Sequence, residues 1–288
     1  MTTLSDRPLT IVAGGGSVPV HVARTAIRDG RRVLIVGIEG EADPEILQFP
    51  HELLRWGQIG RFQEILSRQG YGDIVLIGGV QTLPDYKRLK LDFGAVRILP
   101  KVLSFMSSGD NTILTSVVQV IESWGCNVIG AHEIAGDLVA SVGVLTDKQP
   151  RSRERYDGKL AMTAARGIGA LDAGQAAVAI NGRIVALEAA EGTDGVLSRV
   201  AELRETGRFK WSGRAGVLAK CPKPQQDLRV DMPTIGPDTV SGVERAGLAG
   251  ITIEAGRVMI IDRDETLRRA DAAGVFILAV EGAEAVGR

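Results

Sequence analysis

The segment KCPKPQQDLRVDMPTIG, residues 220–236, holds the densest group of side chains that could do chemistry. Lysine and arginine bind phosphoryl oxygens, while a carboxylate can bind a metal ion or handle a water molecule. This combination suits phosphate chemistry. The candidate catalytic residues in the segment are Lys220, Lys223, Asp227, Arg229 and Asp231, and Asp227 is also the candidate metal ligand.

The local pattern of this segment predicts a rigid ribbon. Pro222 and Pro224 lack backbone donors, which excludes a helix or a central strand there. From Gln226 the residues alternate, so an extended backbone would present the two aspartates and Arg229 on one face, with the apolar residues Leu228, Val230 and Met232 turned toward the core. At roughly 3.3 Å per residue the aspartates would lie about 13 Å apart, too far to share one ion unless the ribbon bends. Asp–Arg pairing on a surface strand is the alternative explanation.

A second acidic group lies in EAAEGTDGVLSRV, residues 188–200. Glu188 follows an apolar strand at a point where a site would open, and Thr193 is a suitable helix N-cap. Acidic residues are also favoured at a helix start for electrostatic reasons alone, which is the alternative explanation. We predict catalytic roles for Glu191 and Asp194, and substrate-binding roles for Glu188 and Thr193.

Glycine-rich turns provide further candidates. Gly14–Gly16 stand between an apolar run and a helical pattern, where small residues let a phosphate approach the helix N-terminus. The turn departs from the dinucleotide-binding fingerprint because Pro19 occupies the position of the third glycine. A tight turn without a ligand is the alternative. Gly78 and Gly79 end another apolar run, and Asp110 stands at a helix start, where a helix cap without a ligand is the alternative. We add all of these glycines and Asp110 as substrate-binding candidates.

The elements that must position these residues differ between the two halves of the chain. In the first half, short apolar runs ending in glycine alternate with helical patterns, which predicts a Rossmann-like α/β domain with a parallel sheet. The ends of such strands and their glycine loops lie along one edge of the sheet. The runs are 9–16, 31–40, 73–80 and 126–133, and the helical patterns begin at residues 18, 61 and 111.

The second half predicts a mixed-sheet α/β domain. Two pairs of apolar runs, one separated by Asn181-Gly182 and the other by Ala255-Gly256, predict hairpins over 176–192 and 250–262. Helical patterns are found at about 153–170, 193–205, 237–247 and 264–273. The predicted domains are therefore residues 1–135, which would bind the nucleotide, and residues 136–288, which would carry the catalytic segment.

Composition excludes several classes of protein. The 34 basic and 35 acidic residues give a net charge of −1, whereas a general nucleic-acid binder would show a basic excess. Cys126 and Cys221 form no CxxC pair, which predicts reduced thiols in a cytoplasmic protein. No apolar run approaches the roughly 20 residues of a transmembrane helix, so a lipid substrate would be met at the inner-membrane surface.

The chain resembles the LpxI-type UDP-2,3-diacylglucosamine pyrophosphatases of the lipid A pathway over nearly its whole length. The resemblance is carried by IVAGGGSVP, GDNTILTSVV, GVLTDKQP, IGALDAGQAAVAINGRIVALEAAEGTDGVLSRV, LAKCPKPQQDLRVDMPTIGPDTV and AGLAGITIEAGRVMIIDRD. The EGTD and KPQQDLRVDMPTIG segments are its specific parts. The same motifs add Asp172 and Gln175 as substrate-binding candidates.

The resemblance implies a reaction and a cofactor. The family hydrolyses UDP-2,3-diacylglucosamine to UMP and 2,3-diacylglucosamine 1-phosphate, called lipid X, with Mg²⁺ or Mn²⁺ and with the substrate between two domains. Water is directed at the phosphorus on the sugar side. Carried onto this chain, Asp227 is the residue whose loss stops turnover, with Asp231 as its neighbour.

Two other classes are compatible with parts of the sequence. A dinucleotide-dependent oxidoreductase would use the glycine turn of the first half, although Pro19 disfavours it. A non-catalytic nucleotide-sugar or lipid binder would bind the same substrate and leave it intact. The sequence also leaves a homodimer and a transient contact with the inner-membrane surface open.

Overall fold

The computed structural model describes residues 7–80, 92, 94–95 and 113–282. The chain divides into two compact units. The first unit extends to Gly136 and also includes Arg229–Asp231, while the second comprises Asp137–Leu228 and the residues from Met232 onward. Within the residues that the structure describes, no helix is both long and apolar enough to cross a bilayer.

The described part of the first unit forms the predicted parallel sheet. Its five strands are β1 (Leu9–Ala13), β2 (Val33–Ile38), β3 (His51–Leu54), β4 (Asp73–Ile77) and β5 (Asn127–Val128). They have the order β3-β2-β1-β4-β5 in the sheet, and every neighbouring pair is parallel. The glycine turns after β1 and β4 lie at the carboxyl ends of adjacent strands, because these two strands pair directly.

Four described helices accompany this sheet: α1 (Val18–Arg28), α2 (Ile59–Gln69), α3 (Ile113–Glu122) and α4 (Ala131–Ile134). The helical patterns beginning at residues 18, 61 and 111 correspond to the first three. Helix α2 ends at Gly70, whose left-handed conformation (φ 89°) is the usual way to close a helix. One apolar cluster joins α2, α3 and the sheet through Leu66, Ile74 and Val118, and Val230 packs against it.

The second unit contains the predicted mixed sheet. Its six strands are β6 (Gly143–Val144), β7 (Ala176–Ile180), β8 (Arg183–Leu187), β9 (Val217–Lys220), β11 (Gly250–Glu254) and β13 (Phe276–Val280). They have the order β6-β13-β11-β9-β7-β8, in which β9, β11 and β13 run parallel and the other neighbouring pairs are antiparallel. A separate parallel pair is formed by β10 (Thr234–Ile235) and β12 (Met259–Ile260).

The hairpin predicted around Asn181-Gly182 is confirmed. Strands β7 and β8 pair antiparallel on either side of these two residues. Both have positive φ, 54° for Asn181 and 79° for Gly182, as the tightest hairpin turn requires. Asp157 is 1% exposed, and its carboxylate accepts hydrogen bonds from the backbone N–H groups of Asn181 at 2.9 Å and Gly182 at 2.7 Å.

The hairpin predicted over 250–262 is wrong. Strand β11 is already paired on one side with β9 and on the other with β13, so it has no free edge for a hairpin partner. The apolar residues after Ala255-Gly256 instead form β12, which pairs with β10.

The four helices predicted for the second half are present. They are α5 (Ser152–Ala170), α6 (Gly192–Glu205), α7 (Pro237–Arg245) and α8 (Arg263–Ala272). Helices α6, α7 and α8 contribute Leu197, Val243 and Ala270 to the main apolar core, where β9 and β11 contribute Leu218 and Ile251. Helix α5 covers the other face of the sheet through its small residues Ala161 and Ala165, which pack with Ala177 and Ala219.

Candidate active site

Lys220 ends the central strand β9 and begins the candidate catalytic segment. Its side chain is 8% exposed, and its ammonium donates a hydrogen bond to the carbonyl of Thr234 at 2.8 Å. Thr234 begins β10, so this bond joins the two ends of the intervening loop, residues 221–233. We refer to these residues as the 221–233 loop.

The extended ribbon predicted from Gln226 to Met232 is wrong. The structure has turns at residues 224–225 and 228–230 and no strand between β9 and β10. The N–H of Gln226 donates to the carbonyl of Lys223 at 3.2 Å, which is the bond of a β-turn with Pro224 at its second position, where proline is favoured. The alternation of polar and apolar residues therefore reflects successive turns and not a strand. Met232 is buried as predicted, but Leu228 and Val230 are only half-buried. The inferred 13 Å spacing of the aspartates therefore does not apply.

Asp227 directly follows the first turn and is half-buried. The side chain of Gln226 stabilises that turn, because its oxygen accepts a hydrogen bond from the N–H of Lys223 at 2.9 Å. The turn thus fixes the backbone immediately before Asp227, which is what a residue that must orient water or an ion requires.

Lys223 and Asp172 form an ion pair in which the ammonium lies 2.7 Å from the carboxylate. The carboxylate is 76% exposed and the lysine side chain 28%, so solvent reaches both. Asp172 has a left-handed backbone (φ 56°) in the turn after α5. The structure therefore brings together two predicted site residues that are about fifty positions apart in the chain.

Glu188 is buried, with 6% of its surface exposed. One carboxylate oxygen accepts the N–H of Gln175 at 2.7 Å and the other accepts the hydroxyl of Thr193 at 2.9 Å. Gln175 in turn accepts the N–H of Cys221 on its carbonyl at 3.1 Å. The structure thus connects Glu188, Thr193 and Gln175 to the start of the 221–233 loop.

The other two acids of the EGTD region are differently placed. Glu191 is exposed and pairs at 2.9 Å with Arg199, about two turns further along α6. Asp194 is exposed in the first turn of the same helix. Both positions are electrostatically favourable at a helix start. Their predicted catalytic roles stay predictions.

A buried ion cluster that is not among the sequence predictions lies beside Cys221. Glu254, at the end of β11, is 3% exposed and lies between Arg166 at 3.1 Å and Arg257 at 2.7 Å. Burial raises the pKa of the Cys221 thiol to about 11, an effect that the Arg166 charge opposes and the Glu254 charge reinforces. Cys221 is therefore not an activated nucleophile. The sequence signal for Glu254 is an acid directly after an apolar run, as at Glu188.

The glycine turns of the first unit contact each other. Gly15 and Gly79 exchange N–H···O=C hydrogen bonds of 2.8 Å in both directions, and Gly14 donates to Ile77 at 3.0 Å. A Cβ at Gly14 would lie 2.4 Å from the carbonyl oxygen of Gly79, so only glycine permits this approach. The N–H of Gly16 donates to the carboxylate of Asp43 at 2.5 Å, so a phosphate at this N–H would have to displace Asp43.

Arg229 and Asp231 belong to the first unit, whereas Asp227 belongs to the second. The Arg229 guanidinium lies 2.8 Å from the carboxylate of Glu122 and 3.3 Å from the carbonyl of Val128. Asp231 is exposed. The predicted substrate-binding residue Asp110 lies outside the described residues.

The donor set bears on the expected metal ion. In the part of the chain that the structure describes, no three His, Cys, Asp or Glu side chains lie close enough together to hold a metal ion. Mg²⁺ is commonly bound through one or two carboxylates together with substrate phosphates. A single carboxylate such as Asp227 fits that mode of binding.

Comparisons with known proteins cover both units. The LpxI N-terminal domain model matches residues 8–138, and the LpxI C-terminal domain model matches residues 141–278. A Caulobacter vibrioides protein named UDP-2,3-diacylglucosamine pyrophosphatase LpxI is 38% identical over 278 residues, which span 96% of this chain and 99% of that relative. The chain belongs to the LpxI family.

Proposed function

We propose that this protein hydrolyses the pyrophosphate bond of UDP-2,3-diacylglucosamine, releasing UMP and 2,3-diacylglucosamine 1-phosphate in lipid A biosynthesis. The observation that carries the proposal is the geometry of the 221–233 loop. Two hydrogen bonds between Lys223 and Gln226 stabilise the turn at Pro224 and so fix the backbone conformation directly before Asp227. The name of the Caulobacter relative supports the choice of substrate.

The chemistry assigned to the loop is a hydrolysis. Water adds to the phosphorus on the sugar side, the bond from that phosphorus to the bridging oxygen breaks, and UMP leaves with the bridging oxygen. Asp227 orients the water or holds the cation. The Lys223 ammonium lies at the same turn, and the exposure of its ion pair with Asp172 leaves it able to neutralise a phosphoryl oxygen.

A divalent cation, Mg²⁺ or Mn²⁺, completes the proposal. Asp227 is the protein group that would hold it, with the substrate phosphates as the remaining ligands. When bound, such an ion neutralises charge that develops on the two phosphates. Because the substrate carries two acyl chains, we further propose that the reaction takes place in the cytoplasm at the inner-membrane surface. A homodimer stays a prediction.

The test is incubation of the purified protein with UDP-2,3-diacylglucosamine and Mg²⁺ in ¹⁸O-labelled water, followed by mass spectrometry of the products. We expect stoichiometric UMP and a diacylglucosamine phosphate that carries the label. Label in UMP would show that water attacks the other phosphorus. Substrate that binds but is not hydrolysed would indicate a non-catalytic binder. Binding of NADH or NADPH would favour an oxidoreductase.

A further inference from the structure

Glu188 connects three segments of the second unit. The residue directly follows β8. Its carboxylate accepts hydrogen bonds from the N–H of Gln175, before β7, and from the hydroxyl of Thr193, at the start of α6. Its own N–H donates to the carbonyl of Ala176 at 2.9 Å. Both carboxylate oxygens therefore bond to groups of the protein itself. The packing around this residue is tight, since a Cβ at Gly174 would lie 2.4 Å from the Glu188 carbonyl oxygen.

Gln175 passes this arrangement on to the 221–233 loop at two points. Its carbonyl accepts the N–H of Cys221 at 3.1 Å, and its side-chain oxygen accepts the amide of Gln226 at 3.4 Å. The other end of the Gln226 side chain accepts the N–H of Lys223 at 2.9 Å. The next residue along the chain is Asp227.

We infer that Glu188, Gln175 and Gln226 form a positioning network that sets the location of Asp227, and that Glu188 does not contact the substrate. The inference rests on the proposed function. It replaces the substrate-binding role that the sequence predicts for Glu188 and Gln175. A carboxylate that is 6% exposed and bonded at both oxygens has little left to offer a ligand.

The kinetic consequence follows from the position of the network. A displacement of about 1 Å of a catalytic group can cost about 100-fold in rate even when the mutation lies away from the chemistry. A substrate-binding residue would raise KM on removal, whereas a positioning residue lowers kcat. A residue of purely structural importance would lower the melting temperature and leave kcat of the folded enzyme unchanged.

The structure offers a matched control in Asp157. It too is a buried carboxylate that accepts two hydrogen bonds, and it serves the same β7–β8 hairpin, but at the turn. Glu188 and Gln175 lie at the open end, beside the 221–233 loop. Removing either carboxylate strands two donors, so both alanine variants are expected to lose stability.

The experiment compares Glu188→Ala, Glu188→Gln and Asp157→Ala in the full chain, with steady-state kinetics well below each melting temperature. We expect Glu188→Ala to lower kcat by about 100-fold with KM changed less than about threefold. Glutamine keeps the length and one acceptor, and its amide can donate to a reoriented Thr193 hydroxyl, so Glu188→Gln should recover kcat to within about fivefold of wild type. Asp157→Ala should keep the wild-type kcat.

Two outcomes would overturn the inference. If Glu188→Gln loses as much activity as Glu188→Ala, the negative charge itself is needed and Glu188 acts on a ligand. If Glu188→Ala retains kcat like Asp157→Ala, its role is structural only. Should Glu188→Ala fail to fold, Gln226→Leu breaks the same network nearer to Asp227, and an unchanged kcat in that variant overturns the inference equally. An inactive wild-type enzyme would instead refute the proposed function.

Discussion

The ammonium of Lys220 lies 2.8 Å from the carbonyl oxygen of Thr234, and this bond closes the base of the 221–233 loop. The sequence predicts Lys220 as a cation for the substrate phosphates. Its burial and its bond to Thr234 indicate that it also holds the loop together.

Replacing Lys220 with methionine is therefore expected to destabilise the protein. The Thr234 carbonyl would lose a charged donor in a buried position, which costs about 1–3 kcal/mol. For a unit of this size that corresponds to a loss of several degrees in melting temperature, about 2–4 °C per kcal/mol. Calorimetry and kcat measured on the same sample check this. An unchanged melting temperature with a collapsed kcat would show that Lys220 acts on the substrate alone.

Replacing Asp227 with alanine or asparagine should abolish turnover with little effect on folding. Asp227 is only half-buried, so its contribution to stability is expected to be modest. Its role in holding the cation or orienting water is expressed mainly in the transition state, so we expect kcat to fall about 10³-fold or more while substrate still binds. Single-turnover UMP release and the melting temperature are the measurements.

Asp231 provides the comparison for that experiment, because it belongs to the other unit and is exposed. Asp231→Asn is expected to reduce kcat less than Asp227→Asn. Equal losses, or an Asp227 variant that is inactive only because it unfolds, would contradict the assignment of Asp227.

The Lys223–Asp172 pair allows the charge and the contact to be separated. The aspartate is largely exposed, so the pair should contribute less than about 1 kcal/mol to stability. We expect Lys223→Met to lower kcat/KM by about 10-fold or more, because a phosphoryl partner is lost. Asp172→Asn keeps the lysine, so its effect on kcat/KM is expected to be smaller than that of Lys223→Met. If the two variants are equally impaired, the ion pair itself is what the enzyme needs.

The contact between the two glycine turns can be tested within the first unit. Gly14→Ala places a methyl group against the Gly79 carbonyl, and such overpacking typically costs about 1–3 kcal/mol. Gly79→Ala is the matched control, since its nearest neighbour in the same pair of turns would be 4.0 Å away. We expect a lower melting temperature for the first variant only. Equal behaviour would show that the close approach is unimportant.

Removal of divalent cations is expected to abolish activity reversibly. Excess EDTA should stop UMP release, and Mg²⁺ or Mn²⁺ should restore it, because oxygen ligands from a carboxylate and phosphates suit these ions. Isothermal titration of Mg²⁺ into the substrate-free wild-type protein should show weak binding. This binding should tighten when substrate is present under non-turnover conditions. Full activity in chelator would refute the cation requirement.

Much of the fold could be predicted because its strands are continuous apolar runs that end in glycine, as in Leu9–Ala13 and Asp73–Ile77. Strand β3, with the sequence HELL, was missed because it lies at a sheet edge and its half-exposed residues show no apolar run. The false hairpin at 250–262 arose because the pairing of β11 with two distant strands leaves no local signal in the sequence.

The candidate site was predictable in residue type but not in contacts. Lys223, Asp172, Gln175 and Glu188 were all singled out, and the structure connects them within one unit. Nothing in the sequence distinguishes a glutamate that faces a substrate from one whose oxygens bond to Gln175 and Thr193. The turn at Pro224 was likewise hidden, because successive turns and an extended strand can produce the same alternation.

During translation, the first unit is completed by a segment that is synthesised much later than the rest of it. Arg229–Asp231 belong to it, and Val230 packs against the cluster that contains Leu66 and Ile74. An N-terminal domain normally folds as it emerges from the ribosome. Here the nascent unit lacks Val230 and the Arg229–Glu122 ion pair until most of the second unit has been synthesised. Completion of the first unit is thereby coupled to synthesis of the loop that carries Asp227.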